Sequence, residues 1–213
     1  MKKGSQLSTM LLTIFLSTAI VSHARENELK SVTFGEEDTE YSFQTKNNQL
    51  IINAVGRDSA SGLFVFEPKT CLNNNEISWS WKVDRIQPTA DITVEEKEDF
   101  AASVLIIFGE PSLLSKPKGL IYAFANTNLP LGSVVNSPRA PKNFRTIIID
   151  NKESPLMNWS QYQRDIIADY KLAYGEAPDK DLHTIGVFTD NDQTKEPVEA
   201  SYILESCNLS AQK

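Results

Sequence analysis

Ile77-Ser78-Trp79-Ser80-Trp81-Lys82-Val83 alternates without a break, and it constrains the fold more than any other stretch of the chain. A period of two sends Ile77, Trp79, Trp81 and Val83 to one face and Ser78, Ser80 and Lys82 to the other. A strand carrying two indoles on one face needs a partner layer that can cover them. Core packing is therefore the first reading of Trp79 and Trp81, with a stacking platform for sugar rings as the other.

The runs around this strand are also β-like. Residues 31–34, 41–43, 50–54 and 62–66 are short apolar segments, punctuated by Asn47-Asn48 and Arg57-Asp58. Residues 100–108 are nearly continuous apolar and predict a central strand covered on both faces. Strand patterns return at 119–125 and 144–149, while Leu129-Pro130-Leu131-Gly132 and residues 137–141 read as loop. Residues 182–188 and 200–204 form two further runs, and their polar connector predicts an antiparallel hairpin. One segment breaks the pattern. From 159 to 174, Trp159, Tyr162, Ile166, Ile167, Tyr170 and Tyr174 recur every three or four residues, with Asn158 to cap the start and Gly175 the end. One helix among many short strands, with no βαβ alternation, predicts a mainly β fold: an antiparallel sandwich of jelly-roll type with one inserted helix.

The first 24 residues read as a secretory leader. Lys2 and Lys3 precede an apolar run over 10–21, and Ser22-His23-Ala24 offers small residues for cleavage after Ala24. At about twelve residues that run is short of the roughly 20 that span a bilayer, so no membrane span is expected after cleavage. Residues 25–213 would form one domain in the periplasm or outside a bacterial cell. Removing Lys2 and Lys3 from the 21 basic residues leaves 19 against 28 acidic ones, a formal charge of −9. That surface repels phosphate backbones, which argues against nucleic acid as a partner. Cys71 and Cys207 are the two cysteines, and export favours a disulfide between them over two buried thiols.

Several of these segments together resemble the domain of unknown function 3047 family of exported bacterial proteins. The resemblance is carried by Trp79-Ser80-Trp81-Lys82, by Glu98-Asp99-Phe100-Ala101-Ala102, and by Tyr122-Ala123-Phe124-Ala125. Arg164-Asp165 with Asp169-Tyr170, and the run from Gly186 to Thr194, complete it. Ser103 departs from the pattern, which places an arginine there. The resemblance implies a lectin-type or galactose-binding-like sandwich and leaves the chemistry unassigned.

Chemistry-bearing groups are few. Alternating acids in Asp190-Asn191-Asp192 could present oxygens to calcium, contact a ligand, or serve only as a turn. The glycine and distal glutamate of an EF-hand are missing. Should the strand after Asp99 lie beside Asp190, the two would form a carboxylate pair suited to acid–base work or glycoside cleavage. The alternative is a solvated acidic strand entry. Trp159 could stack on a sugar or staple the helix start. His183 is the one histidine outside the leader, which excludes zinc catalysis through several histidines, and the common nucleophile and nucleotide motifs do not occur. The expected function is non-catalytic binding of a carbohydrate or cell-envelope glycan by Asp99, Asp190, Asp192 and Trp159. The rivals are a glycan hydrolase using Asp99 and Asp190, and a scaffold in which the connector is only a turn.

Overall fold

A computed structural model describes residues 29–68, 70–111, 116–207 and 209; the leader expected over 1–24 lies outside them. Twelve strands and one α-helix are found among the described residues. The fold is mainly β, a two-sheet sandwich as the sequence predicts. Five strands make one sheet: β2 (Glu40–Lys46), β3 (Gln49–Gly56), β5 (Glu76–Arg85), β10 (Ser160–Asp165) and β12 (Val198–Ile203), in the order β10-β5-β12-β3-β2. The other sheet holds β1 (Lys30–Thr33), β4 (Ala60–Phe66), β6 (Ala102–Phe108), β7 (Lys118–Phe124), β8 (Val134–Asn136), β9 (Phe144–Asp150) and β11 (Leu182–Asp190). Its order is β1-β4-β11-β6-β7-β9-β8, and every pair is antiparallel except β7 with β9.

The alternation in β5 does what its period dictates. Ile77, Trp79, Trp81 and Val83 are all buried between the sheets, against Val104 and Ile106 of β6, Tyr122 and Phe124 of β7, and Ile185 and Val187 of β11. Trp79 stacks on Tyr122 with ring centroids 5.1 Å apart. Burying each such side chain is worth about 2–3 kcal/mol. The core is not wholly apolar. Trp81 Nε1 donates to Asp150 Oδ2 at 2.7 Å, and the Tyr162 hydroxyl donates to the same oxygen at 2.5 Å. Tyr122 donates to Asp169 Oδ2 at 2.8 Å, as does Arg164 Nε. Each buried carboxylate thus has donors on it, which offsets its desolvation.

Two expectations need correction. The helix predicted over 159–174 begins at Ile166, as α1 (Ile166–Tyr174), and the residues before it form β10. Tyr162 and Arg164 share one face at a period of two, and the whole segment pairs with residues 76–81 of β5. The ladder and the packing of the Tyr162 ring on Trp79 and Trp81 outweigh the helical spacing. Asp165 rather than Asn158 is the N-cap, accepting from Ile167 N and Ala168 N, and Gly175 closes the helix at a left-handed φ of 77° as expected.

The hairpin is the second correction. β11 lies between β4 and β6, whereas β12 lies between β3 and β5 in the other sheet. Both runs are central strands with partners on either side, so they have no edge left for each other. Residues 191–197 therefore cross from one layer to the next, a span of about 10 Å.

The Cys71–Cys207 disulfide is formed and closes a loop of 136 residues. Loss of a cross-link over so long a loop costs about 3–5 kcal/mol. Reduction, or serine at both positions, should lower the urea midpoint accordingly. Thiol labelling of the unfolded, unreduced protein should find no reactive cysteine.

Candidate functional site

β6 and β11 are neighbours at the middle of the seven-stranded sheet, with Phe188 opposite Ser103. The acids expected to meet lie just beyond this ladder, and they do meet. Asp190 N donates to Phe100 O at 3.1 Å, and Phe100 N returns a bond to Asp190 Oδ1 at 2.6 Å, so a side chain extends the ladder past its backbone end. Asp99, Asp190 and Asp192 each place a carboxylate oxygen within 4.8 Å of the others.

Their roles differ. Asp99 is 0% exposed and accepts from Gln193 N at 3.1 Å on one oxygen. Its other oxygen accepts from Thr194 N at 2.7 Å and Thr194 Oγ1 at 2.5 Å. Both oxygens are therefore committed to holding the crossover. Asn191 is equally structural: Oδ1 accepts from Ser59 N at 3.1 Å, and Nδ2 donates to Glu196 O at 2.8 Å. Asp192 is half-buried and faces the cleft described below. Calcium requires six to eight oxygens. Three carboxylates alone do not fill such a shell, so backbone carbonyls or waters would have to supply the remaining oxygens.

Asp190 is buried, and desolvation lifts its carboxyl well above the ordinary carboxylate range. The neighbouring Asp99 carboxylate pushes the same way, the Phe100 N–H pulls it down, and the charges of Asp192 and Glu98 add smaller increments upward. Glu98, only 5% exposed, is also raised, chiefly by burial. Among the described residues its Oε2 has no hydrogen-bond partner, and it lies 3.6 Å from Arg139 Nε.

Glu98, Asp190 and Asp192 open onto one cleft of about 260 Å³ on the outer face of the seven-stranded sheet. Phe34, Phe100 and Phe188 form its aromatic wall, and Arg139 reaches in from the loop before β9. Phe34 meets Phe188 edge-on at 5.3 Å and Phe64 edge-on at 5.9 Å, yet stays 57% exposed. Gly186 makes room for Phe64, the ring that Phe34 packs against. A Cβ there would overlap the Phe64 ring and lie 2.5 Å from the Leu63 carbonyl oxygen. Ser103 also lines the cleft and donates Oγ to Phe188 O at 2.8 Å.

Trp159 does not join this site. It is 44% exposed beside Gln49, Ser80 and Ile203, on the outer face of the five-stranded sheet and so across the sandwich. Sequence reasoning missed Phe34, Glu98, Phe100, Arg139 and Phe188. Phe188 was open to view, because at a period of two it falls opposite to the core residues Val187 and Ile185. Phe34 and Arg139 reach the cleft only through loop closure.

Residues 27–203 match a family model described as "Protein of unknown function (DUF3047)". The chain belongs to this family. Its description assigns the DUF3047 fold no activity, and no curated protein matches the chain. Similar solved structures include three carbohydrate-active proteins. The xyloglucanase domain of NopAA, a type three effector from Sinorhizobium fredii solved with cellobiose, is 11% identical with a TM-score of 0.42, over 82% of this chain and 90% of that one. The catalytic domain of Humicola grisea Cel12A, with a soaked thio cellotetraose, is 12% identical with a TM-score of 0.34, over 84% and 96%. The agarase AgWH50C is 10% identical with a TM-score of 0.31, over 84% of this chain and 26% of that one. At these values no substrate or residue role carries over from them. Among the described residues, no helix is long and apolar enough to cross a membrane.

Two substitutions separate structure from site. Asp99→Ala strands two backbone N–H groups of the crossover and should cost about 3 kcal/mol or more, seen as a lowered melting temperature. Asp190→Asn acts in the other direction. An acid whose pKa rises on folding favours the folded state below its ordinary pKa and loses that favour as pH climbs through the folded value. The amide keeps an oxygen for Phe100 N and removes the titration. Thermal scans should show the mutant more stable than wild type at about pH 8 and nearly equal at about pH 4.

Proposed function

We propose that this protein binds a carbohydrate in the cleft over β6 and β11 without turning it over. The observation that carries the reading is the aromatic wall of Phe34, Phe100 and Phe188 facing Glu98, Asp190, Asp192 and Arg139 across one small cleft. A sugar ring has an apolar face for such a wall and a rim of hydroxyls that both donate and accept. The carboxyl of Asp190, raised by burial, is a donor, Asp192 an acceptor, and Arg139 a further donor. Few polar groups on an apolar surface is the usual make-up of a small-molecule site. Asp99 supports binding over catalysis, because the carboxylate expected to pair with Asp190 in glycoside cleavage is occupied by Gln193 and Thr194. The disulfide supports an oxidising compartment outside the cytoplasm.

A second reading, glycoside hydrolysis, draws on one observation: Asp190 and Glu98 line the same cleft and both are raised by burial. Here Asp190 would protonate the glycosidic oxygen as its bond to the anomeric carbon breaks, and a water giving its proton to Asp192 would form the new bond to that carbon.

Titration calorimetry against cello-, xylo- and galacto-oligosaccharides, with chromatography of the same mixtures, separates the readings. Binding predicts heat with at least one series, no shortened product, and an affinity about five- to tenfold weaker in Phe34→Ala with unchanged melting temperature. Shortened product that disappears in Asp190→Asn would replace binding with hydrolysis. No heat from any series would sink both.

A further inference from the structure

The cleft does not stop at Arg139. It runs into a second hollow of about 450 Å³, which shares Arg139, Ala140 and Phe144 with the first and continues over Lys116, Lys142 and Asn143. Among the described residues this hollow is lined by three cations and no acid, in a chain whose formal charge is −7. Its basic residues sit on a hydrogen-bonded frame. Asn143 Nδ2 donates to Lys116 O at 3.2 Å and to Pro117 O at 3.0 Å, tying the two basic segments together. Arg145 Nη1 donates to Pro141 O at 2.5 Å, and Ala140 N donates to Ser137 Oγ at 3.3 Å. Glu98 faces Arg139 from the first hollow. Among the described residues neither Lys116 nor Lys142 is in an ion pair, and both are exposed.

The groove is thus polarised: acids and phenyl rings at one end, cations at the other. We infer that it takes an acidic oligosaccharide, with a neutral ring against Phe34 and Phe188 and an anionic substituent, carboxylate or sulfate, over Lys116 and Lys142. This rests on the carbohydrate reading above and deepens it. The acids fix the direction of the ligand, because an anionic ring placed against Asp192 and Glu98 would meet like charge in a partly desolvated cleft. The cations act in solvent, so their contribution is screened by salt.

The test pairs each charged ligand with a neutral counterpart of the same backbone: tetragalacturonate with its methyl ester, and a sulfated galactan tetrasaccharide with the desulfated form. Calorimetry at low and at high salt should show one charged ligand binding more tightly than its neutral counterpart, with the gap closing as salt rises. Which pair shows the gap decides between carboxylate and sulfate. The double variant Lys116→Ala, Lys142→Ala should lose about three- to tenfold in affinity for the charged ligand and nothing for the neutral one. Lys46→Ala, on the other sheet, should change neither. Equal binding of charged and neutral partners, or a double variant that behaves as wild type, would overturn the acidic-ligand inference and leave carbohydrate binding standing. Silence from all four sugars and from the neutral series above would overturn both.

Discussion

The point on which the architecture depends is the passage of the chain from one sheet to the other after Asp190. A crossover of seven residues must leave a central strand, span the apolar gap and enter another central strand. Its backbone donors would be stranded there without an acceptor, and the Asp99 carboxylate supplies one. Asn191 clamps the same turn from the other side through Ser59 and Glu196. Asp190 is carried into a buried position because its neighbours are fixed on both sides. The raised carboxyl is thus a product of the fold's connectivity: the crossing buries Asp190 and, as a smaller effect, sets it beside Asp99.

The alternation of residues 77–83 was legible because two indoles on one face leave one way to bury them. The presence of one helix was legible from its C-terminal half, where Tyr170, Tyr174 and Gly175 stand as a helix end requires. Its N-terminal half misled. Trp159, Tyr162 and Ile166 fall at helical spacing, but Tyr162 and Arg164 also fall at strand spacing, and only β5 decides between them. The crossover misled for a related reason: two apolar runs with a polar link look the same whether they pair with each other or with strands far earlier in the chain.

At the site, the meeting of Asp99 and Asp190 could be anticipated from a guess about strand order, yet the part Asp99 takes could not. Its partners are backbone N–H groups some 95 positions away, and backbone donors leave no mark in a sequence. Arg139 had the same fate in a segment that showed only loop residues. Trp159 went the other way: a large aromatic at the start of a segment drew notice, and the sandwich set it on the far face. Chemical conspicuousness along the chain and position in space are separate properties, joined only by long-range pairing.

The bridge between Cys71 and Cys207 has a consequence for how the protein is made. As the chain emerges, the first of these sulfurs is available long before its partner is synthesised. The native bond therefore cannot close until the chain has grown by 136 residues past Cys71. With a single pair, the chain has no internal way to choose the wrong mate, so oxidative errors are confined to bonds between molecules. Encounters between molecules, rather than shuffling of alternative pairings, then govern the yield of correctly joined protein.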